Sequence, residues 1–151
     1  METEVHKIIS LLKKTFDKGA WHGPSIKEVI ENVTPAQSLK GLPHTHTIIE
    51  LVWHMTSWKT YVTKRLTGDF DFQLTDQMNF PDSKDWHECV KQLEESQGQL
   101  LAALEKFPSE KLSEMVPKFK DPYTFYSLIH GIIHHDLYHI GQIMLIKKAT
   151  F

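Results

Sequence analysis

Residues Leu128 to Met144 read LIHGIIHHDLYHIGQIM. Apolar residues recur in this stretch at intervals of three and four, which is the period of an amphipathic helix. His135 and His139 are four residues apart, so on a helix both side chains project from the same face, one turn apart. The stretch therefore predicts a helix that carries two histidines on its buried side. The apolar residues that share this side are Leu128, Ile132, Ile143 and Ile146.

Three earlier segments of the chain have the same helical period. Turn-rich connections follow the first two, from Gly19 to Pro43 and from Gly68 to Asp82. We predict a short helical turn at residues 26–30 in the first connection, and a packed loop in the second because a lone strand would have no partner. Four long helices and no convincing strand pair predict an all-α fold, a four-helix bundle in which residues 1–151 form one domain. The helices are predicted at about Thr3–Lys18, from Thr45 or Thr47 to just before Gly68, from an N-cap at Ser83 to Pro108, and from Pro122 to Lys148.

The composition is that of a soluble globular protein. The chain has 151 residues, of which 40% are hydrophobic and 24% charged, and a formal net charge of −2. Its Lys and Arg residues are scattered, so we expect no nucleic-acid partner, which would require a basic face. No run of about 18 apolar residues is present, and the acidic N-terminus does not resemble a signal peptide, so we expect no membrane span. Cys89 is the only cysteine, which leaves no intrachain disulfide and favours a cytoplasmic location.

The ten histidines are the unusual feature of this composition. Histidine is the commonest metal ligand, but His135 and His139 alone would make a weak site, so a third ligand is needed. His54 is the best candidate because it lies in the middle of a predicted helix, with Leu51 and Trp58 near the same face. Three neutral imidazoles with an open fourth position are typical of a catalytic metal site. Zinc, nickel, iron and manganese all remain candidates, because the order of affinities alone does not choose among them.

The same histidines also have a simpler interpretation. A pair at this spacing can arise by chance in a chain with so many histidines, and the side chains would then be packed or paired with Glu50 or Asp136. From spacing alone, both interpretations stay open. Cys89 lies on a predicted amphipathic helix and is interpreted as an inert small hydrophobe rather than a nucleophile.

Three motifs resemble the DinB/YfiT-like superfamily, whose members are regarded as metalloenzymes. The sequence WHGPS at Trp21–Ser25 is similar to the segment after that family's first helix. The stretch His46–Trp58 resembles its second-helix histidine motif, and the sequence HDLYHIGQ at His135–Gln142 resembles its HxxxH-x-GQ ending. Together the motifs span nearly the whole chain in the expected order. One departure is Ile140, where many relatives have arginine, so an anion-binding role for that arginine does not carry over.

The resemblance implies a four-helix bundle with a less common helix order, which the long connection after the first helix would permit. It implies that His54, His135 and His139 are the metal ligands and that the protein forms a homodimer. It also implies transferase or isomerase chemistry with a low-molecular-weight thiol such as bacillithiol or mycothiol. By family analogy alone, Trp21 and His22 are expected at the mouth of the pocket.

Two functions from different classes are compatible with these motifs. The first is a metal-dependent transferase or hydrolase acting on a small molecule, with the ion lowering the pKa of a bound water or thiol. Glu50, one turn before His54, is then predicted to act as the general base or to orient a ligand, with Gln142 and Tyr138 as further supporting side chains. The alternative is a non-enzymatic, metal-stabilised helical bundle that serves in stress response or protein interaction. A fourth protein ligand would favour the alternative, whereas an open position beside an apolar pocket would favour the enzyme.

Overall fold

The computed structural model describes residues 2–118 and 121–151. Within these ranges the chain contains seven α-helices and no strand, apart from an isolated bridge between Met115 and Thr124. The predicted all-α class is confirmed. The helices are α1 (Glu4–Phe16), α2 (Ile26–Ile30), α3 (Pro35–Ser38), α4 (Ile48–Leu66), α5 (Asp76–Asn79), α6 (Trp86–Glu105) and α7 (Phe125–Thr150), with a 3₁₀ helix at Ser109–Ser113 before α7.

Threonine N-caps fix the start of three of the four long helices. Thr3, Thr47 and Thr124 each accept a hydrogen bond from the backbone N–H three residues further on. Such a cap satisfies one of the otherwise unpaired donors of the first helical turn. At α4 the carboxylate of Glu50 also accepts a hydrogen bond from the Thr47 N–H at 2.7 Å, which completes a capping box. The predicted start near Thr47 is therefore confirmed.

The predicted starts of the last two long helices are wrong by a few residues. The N-cap of α6 is Asp85 rather than Ser83, because the Asp85 carboxylate accepts the hydrogen bond from the first turn. Pro122 lies before α7 rather than in its first turn, because the residues that precede this helix form the antiparallel bridge with the segment after the 3₁₀ helix. The long helices end at Phe16, Leu66, Glu105 and Thr150, where Lys18, Gly68, Pro108 and Lys148 were the predicted limits.

The long helices pack in a ring. α1 and α4 each pack against both α6 and α7. This neighbour pattern is compatible with a four-helix bundle in which α1 and α4 occupy diagonal corners, and the connection that contains α2 and α3 crosses between them. Among the described residues, none of the helices has the length and apolar character needed to cross a bilayer.

The buried apolar side chains form two clusters stacked along the bundle. One cluster contains Ile8 and Leu12 of α1 with Ile129 and Ile132 of α7. The other contains Met55 of α4 and several apolar residues towards the C-terminus of α7. The first cluster includes residues 128–133 of α7, and the second includes residues 140–146. The turns of α7 between these two stretches therefore lie between the two clusters.

A buried ion pair lies in this intervening layer. Lys59 of α4 and Asp136 of α7 are 0% and 1% exposed at their side chains, and the ammonium donates a hydrogen bond to the carboxylate at 2.5 Å. Burial raises the pKa of Asp136, while the ammonium of Lys59 acts in the opposite direction. Burying such a charge pair costs desolvation free energy. The pair connects α4 to α7 at one height of the bundle.

The connection between α4 and α6 is the predicted packed loop, with the short helix α5 inside it. Phe70, Phe72 and Leu74 pack against the first apolar cluster. The Ser57 hydroxyl of α4 donates a hydrogen bond to the carbonyl of Met78, which holds α5 against α4. This attachment brings the last residue of α5 and the residue after it beside the middle of α4, where His54 lies.

Candidate metal centre

The three predicted ligands meet between α4 and α7. The Nε2 atom of His135 lies 3.1 Å from the Nε2 atom of His54 and 3.1 Å from the Nε2 atom of His139. One ligand atom from each of the three side chains lies within 4.8 Å of the other two. His139 is buried, and the other two side chains are partly buried. The helical spacing explains the pair on α7, whereas packing of α4 against α7 adds the third ring.

These nitrogen separations fit a single metal ion. Imidazole nitrogens bound to a tetrahedral ion at about 2.0–2.1 Å lie about 3.3 Å from one another, close to the observed distances. Within the described residues the group has no fourth histidine, cysteine or carboxylate. The three histidines could therefore hold a metal ion and leave at least one coordination position free of protein ligands.

Two amide side chains hold the outer nitrogens of the cluster. The Nδ1–H of His54 donates a hydrogen bond to Oδ1 of Asn79 at 2.6 Å, and the Nδ1–H of His139 donates one to Oε1 of Gln142 at 2.6 Å. An imidazole that carries its proton on Nδ1 has its lone pair on Nε2, so both rings direct a lone pair towards the centre of the cluster. The Nδ1 atom of His135 is buried and has no such partner among the described residues.

The surroundings keep the three imidazoles uncharged. Burial, followed by the charge of His139, lowers the pKa of His54 to about 4. Burial and then the same neighbour lower the pKa of His135 to about 3, and burial also lowers the pKa of His139. All three rings are therefore neutral near pH 7, which is the form that binds a metal.

An aromatic stack covers the outer face of His54. The ring of Phe80 stacks on His54 with centroids 4.7 Å apart, and its other face stacks on His46 at 4.1 Å. His46 in turn places Nδ1 3.7 Å from the carboxylate of Glu50. The stack fills the space beside His54 and excludes water from that side of the ring.

Glu50 lies at the start of α4 and has a structural contact. Its carboxylate accepts hydrogen bonds from both the N–H and the hydroxyl of Thr47, and the backbone bond lowers its pKa. Within the described part of the chain, the polar contacts of Glu50 are with Thr47 and His46, not with the three ligand candidates. The catalytic role of Glu50 therefore stays a prediction, and the structure gives this carboxylate a helix-capping role.

The cluster opens onto a pocket of about 660 Å³ between α4 and α7. Its walls are largely apolar and aromatic, and Tyr138 stands at its edge with its ring 5.0 Å from that of His139. A second pocket of about 540 Å³ lies on the other side of these two residues and includes Gln142. Tyr138 and Gln142 therefore lie beside the histidine pair, and their supporting role stays a prediction.

The structure does not bring Trp21 and His22 to the pocket. Trp21 is fully exposed in the turn after α1, His22 is exposed beside it, and neither lines the pocket at the histidines. The structure therefore gives the family analogy no support, and a role of Trp21 and His22 at the pocket stays a prediction. His134, next to the ligand pair on α7, points to solvent, as its position on the helix predicts.

Three site features have no signature in the sequence. Asn79 and Phe80 reach His54 from a separate connection, 25 and 26 residues further along the chain. The pairing of Lys59 with Asp136 joins residues 77 positions apart. An isolated asparagine or lysine has no periodic pattern, so only the packing of α5 and α7 against α4 reveals these contacts.

Comparison with known families agrees with the motif analysis. Residues 20–143 match the family model described as the DinB superfamily. The matched range includes the three histidines and both amide side chains that contact them. No curated protein and no solved structure matches the chain significantly.

Proposed function

Since the chain belongs to the DinB superfamily, we propose that it is a metal-dependent enzyme, a transferase or hydrolase that acts on a small molecule. His54, His135 and His139 hold one divalent ion in this proposal, with zinc, nickel, iron and manganese as the candidate metals. A low-molecular-weight thiol is the candidate second reactant.

The convergence of three uncharged imidazoles is the observation that carries this proposal. Their Nε2 atoms approach to 3.1 Å, and two of the rings have their Nδ1 protons held by amide oxygens. With those protons on Nδ1, the Nε2 lone pairs of His54 and His139 both point towards the position beside Nε2 of His135. A divalent ion at that position would be bound by all three nitrogens and suits the donor set.

The open side of the cluster favours an enzyme over a purely structural ion. Structural zinc sites usually close all four positions with protein ligands, whereas the histidine group has only three within the described residues. The pocket of about 660 Å³ begins at these three side chains and is large enough for a small molecule. When bound, the ion would supply Lewis-acid chemistry, which includes lowering the pKa of a coordinated water or thiol.

The protein side chains then have separate tasks. The three imidazoles bind the ion, and Asn79 and Gln142 fix the orientation of two of them. Phe80 covers the outer face of His54, and Trp58 contributes to the apolar wall of the pocket. Exclusion of water by these aromatic groups strengthens electrostatic interactions at the histidines.

Metal content is the first test. The protein should be purified without an affinity tag or added metal and compared by elemental analysis with His54→Ala, His135→Ala and the matched control His134→Ala. We expect about one ion per chain in the wild type and in His134→Ala, and loss of the metal in the other two variants. The control replaces the neighbouring histidine on the same helix, which is exposed.

Two results would contradict the proposal. Wild-type protein without metal, even after anaerobic reconstitution, would leave a helical protein whose histidines are merely packed.

The second test uses cobalt-substituted protein, whose absorption spectrum should change when azide or a small thiol is added, because a ligand enters the open position. An unchanged spectrum would indicate a closed site and favour the metal-stabilised, non-enzymatic bundle instead.

A further inference from the structure

The pocket beside the histidines is an elongated groove between α4 and α7. On α4 its wall consists of His54, Trp58 and Val62, which are spaced by four residues and so lie in a row along one face. At 1.5 Å per helical residue this row is about 12 Å long. The opposite wall includes His135 at the metal end and Leu128 towards the far end. The histidines thus lie at one end of a groove rather than in the middle of a round cavity.

Away from the histidines, the surface that lines the groove is almost entirely apolar. Among the residues that the structure describes, no aspartate, glutamate, lysine or arginine lines the groove. A charged group placed there would lose its hydration without gaining an opposite charge, which is strongly unfavourable. The second pocket, on the other side of His139, differs because His44, His46 and Gln142 contribute polar groups to it. The two sides of the histidine cluster therefore favour different kinds of ligand.

A glycine leaves room in the groove one turn away from the histidines. Gly131 precedes His135 by four residues on α7 and lines the groove. A Cβ atom added at Gly131 would meet no atom within 4 Å, so the space beside it is open. The glycine has ordinary helical backbone geometry. Other helical glycines have the same open space, so the position of Gly131 on the lining of the groove distinguishes it from them.

We propose that the groove binds an elongated, uncharged apolar part of the substrate, whose metal-binding end lies at the three histidines. Gly131 is a specificity-determining residue because its missing side chain gives the apolar part its space. This inference rests on the proposed metal-dependent function and adds the chemical class of the substrate to it. Ser127 and Tyr138 are exposed at the edge of the groove, so a ligand can enter from solvent.

A series of hydroxamic acids of increasing chain length tests the proposal by binding. Acetohydroxamic, butanohydroxamic, hexanohydroxamic and octanohydroxamic acids are titrated into cobalt-substituted protein, and the change in the cobalt absorption bands gives each dissociation constant. We expect binding to tighten by roughly two- to fourfold for each added methylene group, the usual effect of burying apolar surface. Suberic acid monohydroxamate has the same length as the octanoyl compound but ends in a carboxylate, and it should lose most of this gain.

Substitution of the glycine separates the groove from the metal site. Gly131→Leu should bind acetohydroxamic acid as the wild type does but bind octanohydroxamic acid at least about tenfold more weakly, because the new side chain occupies the apolar space. The variant should fold, since leucine is a better helix former than glycine. Gly98→Leu is the matched control: Gly98 lies in the helix α6, an added Cβ there meets no atom within 4 Å, and it lines none of the pockets at the histidines.

The outcomes distinguish failure of this inference from failure of the proposed function. Equal affinity along the series, or an unchanged preference in Gly131→Leu, would overturn the apolar groove while the bound cobalt still supports the metal site. If cobalt does not bind, the proposed function fails, and the groove is then tested on metal-free protein with the uncharged fluorescent probe N-phenyl-1-naphthylamine. Saturable probe binding in the wild type and Gly98→Leu, lost in Gly131→Leu, would support the groove, and absence of binding in all three proteins would overturn it.

Discussion

Replacing Asn79 by leucine should weaken metal binding at the three histidines without unfolding the protein. In the structure Oδ1 of Asn79 accepts the Nδ1–H of His54 at 2.6 Å. Leucine has a similar size and no acceptor, so His54 keeps its packing against Phe80 but loses the bond that fixes its ring and its tautomer. The ring can then rotate or move its proton to Nε2, and both changes remove a lone pair from the metal position.

The expected size of the effect follows from the burial of His54. A neutral hydrogen bond contributes about 1 kcal/mol net, and a buried donor left unpaired costs about 1–3 kcal/mol more. Because the ring is only partly buried, water can partly replace the lost partner, so we take about 2 kcal/mol. At about 1.4 kcal/mol per tenfold change, this corresponds to roughly 30-fold weaker binding. Asn79→Asp should bind the metal more tightly than the wild type, since a hydrogen bond to a carboxylate is about twice as strong.

The assay is competition for zinc or cobalt with a chromophoric chelator, together with thermal unfolding of the metal-free proteins. Gln77→Leu is the control, because Gln77 is an exposed amide on the same short helix α5. We expect the control to match the wild type in affinity. If Asn79→Leu changes the dissociation constant by less than about twofold while His54→Ala abolishes binding, the bond to Asn79 does not orient the ligand and the reasoning fails.

Two further predictions concern buried and capping charges. Lys59→Met should lower the free energy of unfolding by about 3–5 kcal/mol in chemical denaturation, because it leaves the 1% exposed carboxylate of Asp136 without its partner. Lys91→Met, at an exposed ion pair, should change it by less than about 1 kcal/mol, and equal effects of the two substitutions would contradict the argument. The hydrogen bond from Thr47 lowers the pKa of Glu50 below its ordinary value of 4.5. The contribution of this hydrogen bond to stability is therefore fully present above pH 4.5 and is lost as the pH falls through the pKa of Glu50 in the folded protein. Glu50→Gln should keep the metal and the capping box but flatten the acid side of the profile of melting temperature against pH, and full turnover in this variant would exclude the predicted general-base role.

Much of the fold could be predicted from local sequence signals. Thr47 is followed three residues later by Glu50, which is the pattern of a capping box, and the apolar residues of α4 and α7 have helical periodicity. The starts of α6 and α7 were less predictable. Ser83 and Asp85 are both good N-caps, and the choice between them depends on which backbone N–H each side chain reaches. The position of Pro122 before α7 depends on the bridge between Met115 and Thr124, which no capping or periodic pattern in the sequence indicates.

The metal centre could be predicted only as far as it is local in the chain. The spacing of His135 and His139 places them together on any helix, and His54 followed from its depth in a second helix. The sequence does not decide the role of Glu50, because its position three residues after Thr47 fits a capping box and its position one turn before His54 fits a general base. Only family analogy places Trp21 at the pocket, because no pattern around it in the sequence indicates its surroundings, and in the structure it is fully exposed.

The buried ion pair explains how α4 and α7 keep the histidines in register. Asp136 follows His135 directly, so on the helix the two side chains point in directions about 100° apart. Both nevertheless reach α4: His135 meets His54, and Asp136 meets Lys59. A slide of one helical turn along α7 would separate the ammonium from the carboxylate inside the bundle, where neither charge has water to replace its partner. Apolar side chains of similar size would tolerate such a slide at a smaller cost, because their packing is less directional than a buried ion pair. Lys59 and Asp136 thus help to fix the geometry of the histidine cluster, although Lys59 makes no hydrogen bond to any of the three described Nε2 atoms. The ion pair of Lys59 with Asp136 and the contact of His54 with His135 together define one alignment of α4 with α7.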